Sequence, residues 1–297
     1  MEFLAYKVIR LFFLLLGLIP ETVAEKMANG IGGIWYRRDK RHREVAIKNM
    51  TTAFGREMSE EEIRALSRRA FNHIALVPFE MGRSLRWGWR DIKARFRIYG
   101  TCHLEAANAK GKGVLVLTCH MGNWEFLPVS MGATGFQISA VYRSLDFKPM
   151  DRFILEMRER FGCRMYPTKK AVKGIFKELE EGNAVGLLSD QNAPKPHQSV
   201  FVTMFGKTAS ANNGIAQLAL TTGAPVIPYF VARDGRFVRG EFGPEIPLVN
   251  TGDFEADVRT NTQNFSYAME KMVRKFPEQW FWVHNRWKTR PRDEAQG

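Results

Sequence analysis

Apolar positions along the chain follow three successive rhythms. Residues 3–19 are mostly apolar, uncharged from 11 to 19, and stopped by Pro20. A bilayer-spanning helix needs about 20 apolar residues, and the uncharged run has roughly half that. Lys7 and Arg10, three apart, share one side of a helix. The segment therefore predicts a helix over residues 1–20 lying in a membrane interface, its basic groups near lipid phosphates. A basic stretch before an apolar one also resembles a secretory leader, but no small-x-small site follows Pro20, so retention is expected. The competing reading is an amphipathic helix buried in a soluble domain.

Residues 21–95 carry a helical rhythm. Ser59 and Glu62 can form a reciprocal capping box, with Met58 stapled onto Ile63. Ile63, Leu66, Ala70, Phe71, Ile74 and Val77 then recur at helical spacing. Trp87 and Trp89 close the region, as interfacial or core aromatics. From about residue 96, short apolar runs alternate with helical stretches. Strands are predicted over 114–117, 138–141, 184–188, 200–205, 225–231 and 237–242, and helices over 151–161, 172–181, 212–222 and 257–276. Such alternation implies an α/β domain over 96–297, with a mostly parallel central sheet flanked by helices. The helical amino-terminal region should pack against it.

The 297 residues are 45 % hydrophobic and 25 % charged, which excludes a disordered or polytopic chain. The net charge of +13 changes the picture: residues 1–100 hold 19 Lys and Arg against 11 Asp and Glu. A field of that size favours an anionic surface, an acidic carrier protein or nucleic acid. The run Arg37-Arg38-Asp39-Lys40-Arg41-His42-Arg43, next to an apolar helix, suits anionic headgroups at about 1 kcal/mol per basic residue. Basic heptads, zinc spacings and aromatic ribonucleoprotein blocks are missing from the sequence, so no nucleic-acid partner is expected. Cys102, Cys119 and Cys163 include no CxxC pair, which points to a reducing compartment and no structural zinc.

The chemistry concentrates in residues 114–125. An apolar strand delivers His120 to the loop at its carboxyl end, where α/β sheets place ligand sites. Gly122 permits a tight turn, Asn123 can cap a helix beginning near Trp124, and Glu125 can fold back onto His120. A carboxylate fixes the tautomer of an imidazole and raises its basicity, so that it can deprotonate a hydroxyl. His-x4-Glu is not the His-Glu-x-x-His of zinc proteases, and no metal is expected. A satisfied structural histidine is the bland alternative.

This block resembles the His-x4-Asp/Glu motif of the lysophospholipid acyltransferase superfamily. The chain is more closely similar to the bacterial lipid A late acyltransferases, the lauroyl and myristoyl transferases. The likeness takes in the apolar basic amino terminus, Asn49 with Ala53-Phe54, the His120–Glu125 block and Leu188-Ser189-Asp190-Gln191. It continues through residues 205–209, 223–228 and Trp280 to Pro291.

The resemblance implies that His120 is the base, Glu125 its orienting partner and Asp190 an acidic group that shapes or polarises the site. It also implies a functional arginine. Arg143, Arg160 and Arg164 compete for that role, with Arg160 favoured by its spacing to Asp190 and Arg143 next, and bidentate bonding there would hold an acceptor phosphate. Gly206, Lys207 and Thr208, ahead of the helix at 212–222, read either as a phosphate cradle or as a plain hairpin turn. The implied donor is acyl-carrier protein or an acyl-CoA. The implied acceptor is a hydroxyl of a lipid A precursor at the cytoplasmic face of the bacterial inner membrane. The oxyanion would be met by backbone N–H groups near Gly122 or by an arginine, with no cofactor and no covalent acyl-enzyme. Trp124 departs from many lipid A enzymes and leaves open another glycolipid or phospholipid acceptor. A basic lipid-surface protein without catalysis is the reading from a different class.

Overall fold

A seven-stranded sheet lies at the centre of the molecule, described over residues 1–291 by a computed structural model. Five helices come first: α1 (Glu2–Leu18), α2 (Glu21–Arg38), α3 (Lys40–Phe54), α4 (Glu60–Ser84) and α5 (Trp89–Arg95). The layered part follows as β1 (Phe96–Tyr99), α6 (Thr101–Asn108), β2 (Val114–Thr118), α7 (Leu127–Gly132), β3 (Ile138–Tyr142), α8 (Lys148–Glu159), β4 (Arg164–Pro167), α9 (Ala171–Glu180) and β5 (Ala184–Leu188). Then come β6 (Ser199–Met204), β7 (Lys207–Asn212), α10 (Gly214–Thr222), β8 (Val226–Asp234), β9 (Phe237–Phe242) and α11 (Phe254–Lys275).

The sheet order is β1-β9-β8-β2-β5-β3-β4. Every pairing in it is parallel except the β8–β9 hairpin. The α/β class with a mostly parallel sheet is therefore the observed one. All of β2 is buried, as a central strand covered on both faces should be. One cluster unites Leu115, Leu117, Val185 and Phe230 with α3, α4, α10 and α11; the other unites Val114, Val116, Ile227 and Val231 with α6 and α7.

Residues 200–205 do not join this sheet. Val200 to Met204 lie in β6, paired antiparallel with β7 across a two-residue turn at Phe205-Gly206. The expected helix at 212–222 accordingly begins later, at Gly214. The capping box forms as read, with Glu62 accepting from Ser59 N at 2.7 Å and Ser59 Oγ from Glu62 N at 3.3 Å. Trp87 is buried against Phe96 and Phe126, whereas Trp89 stays half exposed.

Helix α1 meets α2 at 114° around Pro20, and among the described residues no single helix is long and apolar enough to cross a membrane. One side of α1 packs on α4 and α8, with Phe13 stacked on Phe153 at 4.5 Å between ring centres. The crossing with α4 is close enough to require glycine: a Cβ on Gly82 would sit 2.1 Å from Phe13 O. The other side exposes Phe3, Leu4, Val8, Leu11, Phe12, Leu15 and Leu18. Arg10 does not share the outward role expected with Lys7. It is turned inward to Glu156 on α8, at 3.1 Å.

Candidate active site

Two adjacent parallel strands build the site. Thr118 on β2 is in register with Leu188 on β5. Two residues beyond each lie His120 and Asp190, so the register itself brings the two side chains together. Asp190 Oδ1 lies 2.8 Å from His120 Nδ1, and Asp190 Oδ2 accepts from His120 N at 3.0 Å. Trp280 Nε1 donates to the same Oδ2 at 2.8 Å.

Asp190 is 2 % exposed. Burial raises its pKa, but the charge of His120 and the donors around the carboxylate more than offset this and hold it below the ordinary value. Burial pulls His120 down, yet the charge and hydrogen bond of Asp190, with Glu125 adding to them, leave it above the ordinary imidazole value; Arg158 opposes the rise. An ionised Asp190 accepts a hydrogen bond from Nδ1–H, which leaves Nε2 as the basic nitrogen. The ring is 23 % exposed, with Trp124 at 5.7 Å and Phe281 at 6.1 Å between ring centres.

Glu125 takes a different place from the one expected. It is bonded not to His120 but to Arg158, which donates from Nε and Nη2 at 2.8 Å each. Residues 124–126 form a short 3-10 turn that directs this carboxylate toward α8. Asn123 does cap the turn, accepting from Glu125 N at 3.2 Å. Glu125 remains close enough to act on the imidazole through its charge.

The three candidate arginines divide. Arg160 donates to the carbonyls of Ser84, Leu85 and Trp87, closing the end of α4. Arg164 opens β4, at the amino edge of the sheet, and pairs with Glu178 and Glu181. Arg143 follows β3 on the carboxyl edge and is exposed. An arginine that the sequence reading passed over, Arg158, lies beside Glu125 instead. Its signal was weak: it lies two residues before Arg160 on an amphipathic helix, and its partner Glu125 is 33 residues away.

The Gly206-Lys207-Thr208 stretch is not joined to a helix amino terminus. Strand β7 separates the turn from α10, and the Glu270 carboxylate occupies Phe205 N at 2.7 Å. Thr208 O accepts from Arg290 at 2.8 Å. The hairpin alternative accounts for this stretch.

The loop that carries His120 is clamped from two sides. Gly122 adopts φ +59°, and a Cβ there would sit 2.5 Å from Val231 O. Its N–H donates to Gln279 O at 2.9 Å, and Phe281 N donates to His120 O at 3.0 Å. The N–H of Met121 is taken by Cys119 O at 2.9 Å, so the backbone donors at 121 and 122 are not available to an oxyanion. From the other side, Asn123 Nδ2 donates to Glu80 Oε2 at 2.9 Å, and Glu80 pairs with Arg233 through both oxygens, at 2.5 and 2.6 Å. His73, beside Arg233, is held well below its usual pKa by burial and by that guanidinium. Cys119 is buried and its thiol lies well above the ordinary value, by desolvation and by the nearby Asp190.

A family model described as bacterial lipid A biosynthesis acyltransferase matches residues 2–289. The chain is similar to the lipid A biosynthesis lauroyltransferase of Escherichia coli, 28 % identical over 92 % of this chain and 88 % of that protein. It is similar to the palmitoleoyltransferase of the same organism, 26 % identical over 93 % and 89 %. The phosphatidylinositol mannoside acyltransferase of Mycobacterium tuberculosis is 24 % identical over 64 % of this chain and 59 % of its own.

Proposed function

Because the chain belongs to the bacterial lipid A biosynthesis acyltransferase family, we propose that it transfers a fatty acyl chain from a thioester to a hydroxyl of a lipid A precursor. The donor in this reading is acyl-carrier protein, whose acidity suits a chain of net charge +13, with acyl-CoA as the other thioester. The setting is the cytoplasmic face of the inner membrane. The outward apolar side of α1 and the exposed Arg37, Arg38, Lys40 and Arg41 support it.

The observation that carries the chemistry is the 2.8 Å contact between His120 Nδ1 and Asp190. With that proton held, Nε2 takes the proton of the acceptor hydroxyl as its oxygen attacks the thioester carbonyl. The tetrahedral intermediate expels the thiolate by breaking the C–S bond. The imidazolium returns the proton to sulfur, giving an ester and a free thiol. Arg158 has committed Nε and Nη2 to Glu125, and its Nη1, which has no hydrogen bond among the described residues, is left to meet the developing oxyanion or an acceptor phosphate. Glu125 orients that guanidinium and adds negative potential at the imidazole. In this reading two pairs act together, Asp190 with His120 and Glu125 with Arg158, the second acting on the imidazole through charge.

The test is His120→Ala with the fold checked by thermal unfolding. A loss of about 10²- to 10⁴-fold in acyl transfer is expected for removal of a general base, and near-normal transfer by a folded variant refutes the assignment. Mass spectrometry of lipid A from cells lacking the gene reads the acceptor: a missing secondary acyl chain supports it. An unchanged lipid A with an altered mannolipid or phospholipid favours the second reading, which rests on the mycobacterial similarity and on Trp124 beside His120.

A further inference from the structure

Three loops leave the sheet on the edge that carries His120. Strands β4, β3 and β5 lie side by side and run parallel, so the segments that follow them emerge together. Thr168 Oγ1 donates to Tyr142 O at 2.9 Å and ties two of these segments to each other. From this edge Leu145 and Phe147, after β3, are 42 % and 57 % exposed, and Val172, on the first turn of α9, is 65 % exposed. The Leu145–Phe147 loop is fixed by its main chain. Leu145 N donates to Asp151 at 2.8 Å and Leu145 O accepts from Lys148 at 3.2 Å, so its apolar side chains face outward from a defined turn.

Charge surrounds these side chains. Arg143, Lys169 and Lys173 are exposed on the same segments, and among the described residues none of the three forms a salt bridge. Asp146 is the opposing carboxylate within the loop, which leaves the edge basic. The amino-terminal end of α1 contacts α8, the helix that holds Asp151. Arg152, one turn into α8, lies over the rings of Phe3 and Tyr6, at 5.9 and 4.5 Å. The exposed Phe3 near the start of α1 and the Leu145–Phe147 loop therefore both rest on neighbouring residues of α8, Arg152 and Asp151.

We propose that this edge is a second membrane contact, in which Leu145, Phe147 and Val172 enter the headgroup–acyl boundary of an anionic bilayer and Arg143, Lys169 and Lys173 meet its phosphates. The inference rests on the reading of a lipid acceptor and deepens it. With both α1 and this edge in the interface, the mouth of the site opens onto lipid, and an acceptor hydroxyl reaches His120 without leaving the bilayer. Continuity with α1 is what favours a bilayer over an acidic protein on this surface.

The test uses the full chain in a Cys102→Ser background, since Cys119 and Cys163 are buried. Leu11→Cys, Phe147→Cys and Phe254→Cys each carry an environment-sensitive fluorophore. Vesicles of phosphatidylethanolamine and phosphatidylglycerol include lipid with a nitroxide on its acyl chain. Blue shift and quenching at 11 and 147, but not at 254, are expected. Replacing phosphatidylglycerol by phosphatidylcholine should weaken the signal at 147. A label at 147 that stays in water while position 11 is quenched overturns the proposal. So does a failure of the chain to bind vesicles, or a shift at 147 that appears only on adding acyl-carrier protein. No acyl transfer is read, so a wrong acceptor assignment leaves this result standing, and a dry loop leaves the acyltransferase reading standing.

Discussion

Asp190 holds His120 at two points, its Oδ1 on the ring Nδ1 at 2.8 Å and its Oδ2 on the backbone N–H at 3.0 Å. One carboxylate thus sets both the tautomer and the place of the loop. Asp190→Asn keeps the shape and removes the charge, so acyl transfer should fall by about 10²-fold or more. Asp190 raises the imidazole pKa, so its loss lowers it. The acid limb of the kcat/KM profile should then move to lower pH while the plateau drops. An unmoved limb would separate Asp190 from the titrating group.

Arg158→Met gives the opposite sign. Arg158 lowers the imidazole pKa, so its removal should move the acid limb to higher pH. Glu125→Gln, which removes a raising charge, should move it lower. Both variants should also lose rate, because each strands the partner of a nearly buried ion pair. A pH–rate series on the three variants checks the signs together.

Arg160 tests a different role. It ties α8 to the end of α4 through three carbonyls. Arg160→Ala should cost about 2–3 kcal/mol of stability, as for charged hydrogen bonds lost to buried carbonyls. The kcat measured well below the melting temperature should be nearly unchanged. Urea unfolding beside a rate assay distinguishes this from Arg158.

Glu80 supports the His120 loop through Asn123 and neutralises Arg233, with side chains only 12 % and 15 % exposed. Glu80→Ala leaves that guanidinium without its carboxylate and should destabilise the fold by about 3 kcal/mol. Denaturant unfolding reads this directly.

Cys119 adjoins His120 in the chain but is buried, and desolvation and Asp190 raise its thiol well above the ordinary value. Cys119→Ala should retain acyl transfer within a few-fold. Intact-protein mass spectra taken during turnover should show no acyl adduct. An adduct at residue 119 would establish a covalent route.

Much of the frame was legible because it is written locally. Strands β2 and β5 read as continuous apolar runs, and the Ser59–Glu62 cap as a spacing of three. Strand β4 ends on a proline, and β7, Lys-Thr-Ala-Ser-Ala-Asn, has too little apolar or branched character to announce a strand. The site itself joins residues 70 apart, His120 to Asp190, and 33 apart, Glu125 to Arg158. Those contacts follow from strand register and from where α8 packs. A spacing argument sees neither, and so it paired His120 with the nearest carboxylate in sequence.

The seating of α1 bears on how this protein is prepared. Its inner side covers Val77 and Met81 of α4 and Phe153 and Met157 of α8, and the glycine contact at Gly82 leaves no room for a substitute. Deleting residues 2–18 to obtain a freely soluble enzyme would take away a wall rather than a tether. The shortened chain would present that uncovered grease to its neighbours and precipitate, whereas a detergent that sheathes only the outward stripe keeps the wall in place.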